Sequence, residues 1–382
     1  MVAFASNPRR EEAVRVNAID VGIFQLLPGP EGVCDREVIE QALWEVDFAE
    51  SRGFDAVWIT EHHLSSFGLV GVPSVYAAAV AQRTRRVGIG YAIAVVPLHH
   101  PVRLAEEISW VGHLSRGRLL VGLGPGFSPY EFGAFGVPLE ERHERLEEGS
   151  EVLRGLLETE SFSHRGKHWS VPPVTLRPRP FGGAPPVFLR ASSGLESFRA
   201  AAARGEPVML GLKPIEEIAQ RLALYRSIRS EAGVSPATIE SEIARFRVLR
   251  RVVVADRDGE AAADARRALA WEAETARRVH EPGRATAAAA TLADGSSADE
   301  AVEIPGGCVG SPRTVLQDLQ ELGELGVRHV IAWMNFGDLP YAKVRRSMEL
   351  FARKVLPKLS ETRAPGGGRG KGRRKVEMEV AS

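Results

Sequence analysis

Eight short runs rich in β-branched and apolar residues recur along this chain of 382 residues, at 17–24, 55–60, 86–96, 118–124, 185–191, 207–212, 246–255 and 328–336. They are nearly continuous in apolar character, as strands buried on both faces must be. Between them lie longer stretches with a helical period. In residues 35–51, Val38, Ile39, Ala42, Leu43, Val46 and Ala49 recur at three- and four-residue spacing and mark one apolar stripe. In "SPRTVLQDLQELGELG", Ser311 is placed as an N-cap and Pro312 as the first helical residue. Strand-then-helix alternation repeated eight times predicts parallel strands joined by crossover helices. The fold class expected is α/β, a closed TIM (β/α)8 barrel with insertions. Such a barrel takes about 250 residues, and the excess falls in three places. These are a Gly/Pro loop at 125–140, a hairpin excursion at 159–184, and a mobile segment at 282–305 before the last helix and strand. An open doubly wound sheet is the other architecture, and no dinucleotide fingerprint supports it.

The expected organisation is a flexible N-terminus at 1–14, one barrel domain at 15–361 and a disordered tail at 362–382. The Gly- and Arg/Lys-rich "APGGGRGKGRRKVEMEV" within that tail has no apolar period. Lys plus Arg and Asp plus Glu each number 49. With that balance no global field draws in nucleic acid. Two cysteines, Cys34 and Cys308, are too few for a disulfide framework and lack metal-ligand spacing. No apolar run approaches a membrane span, and the first twenty residues show no signal peptide, so a cytoplasmic protein is expected.

Candidate chemistry sits where strands end, because βα loops build the functional face of a barrel. After the second strand come Glu61, His62 and His63. Alternation along a strand lets only one of the two histidines face the mouth, the other packing or hydrogen-bonding. Adjacent histidines rarely chelate one ion, and no metal site is expected. After the fourth strand, Gly122, Gly124 and Gly126 permit close approach of a ligand or positive φ, or else mark a flexible loop. Pro125 and Pro129 argue against a helix there. After the fifth strand, Ser192, Ser193 and Gly194 precede a helical stretch and form either an anion site or a simple N-cap.

These residues, in this order, resemble the bacterial luciferase-like family of flavin-dependent monooxygenases. The matching stretches are "FDAVWITEHHLSSFGLVGVPSVYAAA", "AIAVVPLHHPVRLAEE", "LSRGRLLVGLGPGFSPYEFGAFG", "GCVGSPRTVLQDLQELGELGV" and "NFGDLPYAKVRRSMELFARKVLPKL". The resemblance covers roughly residues 18 to 360. It implies a barrel binding reduced FMN at its mouth, the FMN being supplied by a separate NAD(P)H-dependent flavin reductase. It implies use of O2 to oxygenate a small, largely apolar organic substrate, and a homodimer formed near the second and third strands. It places His62 at the reactive edge of the flavin, and Glu61 and His63 as support. Ala92 and Ile93 back the flavin ring, often through a non-proline cis peptide, with Gly124 and Gly126 beside it. Ser192, Ser193 and Gly194 fall where the family holds the FMN phosphate. Two departures stand out. Several relatives pair an arginine with the phosphate where this chain has Pro125, and luciferases carry a reactive cysteine where it has Gly124. The second implies a chain that emits no light. The first keeps open a deazaflavin-dependent hydride-transfer oxidoreductase of the same superfamily. A non-catalytic flavin-binding partner subunit is the reading from another class.

Overall fold

The computed structural model describes residues 18–192, 194–280 and 304–360. The first half runs β1 (Asp20–Gln25), α1 (Asp35–Arg52), β2 (Ala56–Ile59), α2 (Pro73–Arg83), β3 (Gly88–Val95), α3 (Pro101–Leu114), β4 (Leu119–Gly124), α4 (Pro129–Phe135) and α5 (Arg142–Glu158). Then come β5 (Phe162–Arg165), β6 (Ser170–Val174), β7 (Val187–Ala191), α6 (Leu195–Arg204), β8 (Val208–Leu210), α7 (Ile215–Glu231) and α8 (Pro236–Ile243). The last part is β9 (Arg247–Val254), α9 (Asp258–His280), β10 (Gly307–Gly310), α10 (Pro312–Glu324), β11 (His329–Trp333), α11 (Tyr341–Lys354) and α12 (Leu356–Ser360). The expected terminal segments and the core of the expected 282–305 segment lie outside the described residues. No helix among those described is long and apolar enough to cross a membrane.

The eight expected strands are present and close on themselves as a TIM barrel. Neighbours pair in parallel in the order β1-β2-β3-β4-β7-β8-β9-β11, and β11 returns to β1 with Asp20 opposite His329. The short β8 pairs with β9 only through Met209 opposite Arg247 and Leu210 opposite Val248. Beyond that point β10, unforeseen in the sequence, continues along β9 from Gly307 opposite Arg251 to Gly310 opposite Val254. The 159–184 excursion is the expected hairpin, β5 against β6, with His164 opposite Val171.

Alternation divides the core in two. Val21, Ile23, Val57, Ile59, Ile89 and Val121 point outward into the layer between strands and helices. Phe24, Ala56, Trp58, Met209, Ile331 and Trp333 point inward and fill the barrel. Trp58 is the largest of the fully buried side chains. A Cβ on Gly90 would overlap its ring, so glycine at 90 is what lets an indole lie across the barrel. At ~25 cal/mol per Å2 over ~150–250 Å2, an aromatic ring of this kind contributes roughly 4–6 kcal/mol of apolar burial.

The helices follow from local signals. Ser311 accepts a hydrogen bond from the Thr314 amide at the start of α10, and Val315, Leu319 and Leu322 form its buried line. In α1 the buried line is Val38, Ala42, Glu45, Val46, Phe48 and Ala49, while Ile39, expected inside, is exposed. It sits one position round the helix from Val38, about 100° away, at the edge of the stripe. The 125–140 stretch is corrected from loop to loop plus helix. Pro129 opens α4 instead of preventing it, because Ser128 caps the helix and a proline at the first position loses no hydrogen bond. Finally, α9 lays Ala261, Ala265, Ala268 and Leu269 on the inner cluster beside Val253, Trp333 and Phe336. It therefore covers the β9–β11 side of the mouth.

Candidate active site

The chain after β2 turns inward at the C-terminal mouth, and Glu61 is buried there. Its carboxylate accepts from the Val95 amide at 2.9 Å, from His63 Nε2 at 2.9 Å and from His99 Nε2 at 2.9 and 3.0 Å. Burial by itself would raise the Glu61 carboxyl. The hydrogen bonds from His63 and His99, the charge on His99 and the Val95 amide outweigh it and hold the group at about 2. The same pairing acts on His99. Burial pulls its imidazole down, and the bond to Glu61 with the charges of Glu61 and Glu107 lifts it above the ordinary range. Glu61 thus ties the end of β2 to the end of β3.

His62 points elsewhere. Its Nδ1 lies 3.0 Å from Oε1 of Glu131, which also accepts the His63 amide at 3.0 Å. Glu131 is buried on the first turn of α4, and Ser128 Oγ accepts from its amide at 3.3 Å. The His62 side chain is 13% exposed and lies edge-on to Phe67 at 4.9 Å and Phe127 at 6.0 Å. A carboxylate at Nδ1 selects the tautomer with that nitrogen protonated. The rings of the two neighbouring histidines therefore take different partners, His62 to Glu131 and His63 to Glu61, just beyond the end of β2.

Ala92 and Ile93 are joined by a cis peptide bond on β3 and belong to the inner cluster. Gly122 and Gly124 lie against neighbouring side chains and backbone. A Cβ at 124 would overlap the Ile93 side chain, and one at 122 would meet the Met209 sulfur and the Tyr91 carbonyl. Of these glycines only Gly126 has the expected positive φ, +70°. It sits against Val95, the residue whose amide reaches Glu61. Ala191, at the end of β7, borders Gly124 and leads into the next segment. There Ser192 Oγ donates to the Gly194 carbonyl at 3.2 Å and lies 2.9 Å from Ser197 Oγ. Ser193 lies outside the described residues. Gly194 is the N-cap of α6 and gives it no side-chain cap.

Three participants went unnamed in the sequence. Glu131 was hidden in the presumed loop, although Ser128 to Glu131 has the S-x-x-E spacing of a helix start. His99 is the first histidine of the quoted "PLHHP". Arg221, on α7, donates from Nη1 to the Gly194 carbonyl at 3.0 Å and lies over the Phe198 ring. It brings a cation to the α6 N-terminus, and no spacing in the sequence links position 221 to 194. Among the described residues no group of three His, Cys, Asp or Glu side chains is arranged to hold a metal ion.

Residues 20–329 match the sequence model of luciferase-like monooxygenases. The chain belongs to the luciferase-like monooxygenase family. This luciferase-like monooxygenase is 29% identical over 342 residues to 4-hydroxyprotoasukamycin monooxygenase of Streptomyces nodosus subsp. asukaensis, covering 84% of this chain and 87% of the other. The crystal structure of monooxygenase RslO1 from Streptomyces bottropensis superposes with a TM-score of 0.74 at 28% identity, over 89% of this chain and 99% of that one. At lower identity the likeness is one of fold alone. The oxygenating constituent of Pseudomonas putida 3,6-diketocamphane monooxygenase, solved with FMN, gives 0.71 at 22%, over 89% of this chain and 99% of that one. An F420-dependent secondary alcohol dehydrogenase gives 0.69 at 16%, over 90% and 100%.

Proposed function

We propose that this monooxygenase is the oxygenating member of a two-component system. It takes reduced FMN from a separate NAD(P)H-dependent flavin reductase and uses O2 to oxygenate a small, largely apolar organic molecule. The observation that carries this reading is the His62–Glu131 pair at the mouth, with Nδ1 of the imidazole fixed by a buried carboxylate. Bound reduced FMN supplies the activation of O2. The residues present suit that cofactor. The first amides of α6 carry no side-chain cap, the Ser192 hydroxyl is buried beside them, and Arg221 places a guanidinium there, a donor set for a phosphate monoester. Arg221 thereby substitutes for the arginine that relatives carry where this chain has Pro125. Ala92 and Ile93, with Gly124 behind them, offer an apolar wall for a ring.

In this reading His62 holds or delivers a proton at Nε2, with Glu131 steadying the imidazolium. Glu61 with His63 and His99 fixes the strand ends that carry His62. Phe67, Phe127 and the helix α9 exclude water from the mouth. Exposed Val75 on α2 and Trp110 and Leu114 on α3 support a homodimer formed on that side. The test is titration of the full chain with FMN, reduced FMN and a reduced deazaflavin, followed by stopped-flow absorbance on mixing with O2. Tight binding of reduced FMN and an oxygen-dependent absorbance change are expected. Preference for the deazaflavin, with no response to O2, would move the chain to hydride transfer.

A further inference from the structure

On β9, across the barrel from β3, an arginine stands where an apolar side chain would pack. Leu249 and Val253 face inward from β9, and alternation puts Arg251 on the same face between them. Its register partner across the sheet is Trp333. The guanidinium carbon lies 4.8 Å from the Trp333 ring centroid and 5.7 Å from that of Phe336. The side chain is 2% exposed. Its carboxylate partner is Glu272, which comes from α9, the helix over this side of the mouth.

The pairing is one-armed. Nη2 of Arg251 donates to Oε1 of Glu272 and Nη1 to the Pro305 carbonyl at 3.3 Å. Nε of Arg251 and Oε2 of Glu272 are both buried and without a partner among the described residues. An arginine normally offers Nε and Nη2 together as a parallel fork to the two oxygens of a carboxylate. Here half of that fork is used. A buried pair of this kind gives little stability that apolar packing would not match. Burial also pushes the Glu272 carboxyl above its ordinary range, against the pull of Arg251. Stability alone does not explain these two residues at this place.

We propose that Arg251 is the recognition residue for an organic carboxylate whose apolar or aromatic body lies against Trp333. Glu272 occupies the guanidinium when no such acid is bound. This deepens the flavin reading above and rests on it, since it names the substrate class of the same mouth. The incoming carboxylate takes Nε and Nη2 and displaces Glu272, and the aromatic rings receive the body. No bond to the acid is made or broken by Arg251.

The experiment is calorimetric titration of the full chain, without flavin, with benzoate, its neutral isostere benzamide, and inorganic phosphate. Wild type is expected to bind benzoate and to discriminate against benzamide. Arg251→Met should weaken benzoate at least about 30-fold, the range for truncating one partner of a buried charge pair, and leave benzamide unaffected. Glu272→Gln should tighten benzoate about tenfold, because the internal competitor is gone. Equal benzoate affinity in wild type and Arg251→Met overturns the proposal, as does a failure of Glu272→Gln to tighten it. Should Arg251→Met not fold, Glu272→Gln decides alone. Absence of benzoate binding to wild type and Glu272→Gln alike also overturns it. So does phosphate competing at equal affinity, which would assign Arg251 to a cofactor phosphate. The flavin reading is judged apart. A chain that binds benzoate through Arg251 but ignores reduced FMN keeps the anchor and loses the flavin. The reverse result keeps the flavin and loses the anchor.

Discussion

Replacing Glu61 by Gln tests the cluster that fixes the candidate active site. Three donors converge on this carboxylate: the Val95 amide, His63 Nε2 and His99 Nε2. Its carboxyl is held at about 2, against an ordinary value of 4.5. At ~1.4 kcal/mol per tenfold change in proton affinity, that is about 3 kcal/mol of folding free energy at neutral pH. The sign follows from the depressed value. The contribution is complete above pH 4.5 and is lost as pH falls from 4.5 toward 2. His99 acts oppositely. Raised above 6.5 by the same partner, it contributes fully below pH 6.5 and loses that contribution as pH rises through its folded value. Wild type should therefore lose stability on both sides of a plateau. A glutamine has one acceptor oxygen, and its amide group turns a donor toward an imidazole. Glu61→Gln should cost about 3 kcal/mol at pH 6, flatten the acid limb and remove the share of the alkaline limb due to His99. Equilibrium urea unfolding at pH 3.5, 6 and 8.5, followed by circular dichroism, measures all three. A loss under about 1 kcal/mol at pH 6, with the wild-type acid slope retained, would refute the reasoning.

Glu45 gives the opposite sign: burial pushes its carboxyl up to about 7 despite hydrogen bonds from Asn335 and Gln25. Its contribution is present below 4.5 and lost as pH rises to 7, so Glu45→Gln should gain up to about 3 kcal/mol over wild type at pH 8 and nothing at pH 4, read by urea unfolding. His62→Ala should still bind reduced FMN but lose about 100-fold in product formation and release hydrogen peroxide instead. His63→Ala should cost mainly stability, because Glu61 loses one donor; product and peroxide per reduced FMN oxidised separate the two. At the phosphate, Arg221→Gln and Ser192→Asp should each weaken FMN at least about tenfold and Pro125→Arg should tighten it. Fluorescence titration with unchanged affinity in all three would place the phosphate elsewhere.

The strands were legible because a strand buried on both faces leaves a continuous apolar run, and each of the eight barrel strands does so. β10 leaves none: "GCVG" is four residues with a glycine at each end, and only its place alongside β9 makes it a strand. α4 was concealed by reading Pro129 as a breaker, when a proline beside a capping serine is a helix start. Glu131 went with it. The glycines at 122 and 124 show in the sequence only that side chains are absent there; folding brings Met209 and Ile93 next to them. Glu61, His62 and His63 stood out because three ionisable groups follow an apolar run there, a pattern that a site and a well-satisfied turn can both produce. Their partners His99 and Glu131, like Arg221 beside Gly194, come from elements that meet only on folding. Arg251 was overlooked for a related reason. Within "FRVLRRVVVA" it reads as a polar interruption of a strand, and the side it faces depends on barrel closure.

Closure also fixes how the mouth divides its work. In the order β1-β2-β3-β4-β7-β8-β9-β11, β9 stands four strands from β3, which in a ring of eight is directly across. The Ala92–Ile93 wall and Arg251 therefore face each other over an interior about as wide as the side chains that fill it. His62 enters from the end of β2, beside β3, and its partner Glu131 from beyond β4, on the other side of β3. The His62–Glu131 pair thus lies on the β3 side, and the Arg251 guanidinium, whose Nε has no partner among the described residues, on the β9 side. Under the carboxylate proposal, an acid anchored at Arg251 with its body against Trp333 would point its far end across the mouth, toward the Ala92–Ile93 side. If that proposal and the oxygenation reading both hold, the carbon to be oxygenated would lie away from the carboxylate by the span of the mouth. Short acids that cannot cross that span should bind without reacting, and longer ones should do both.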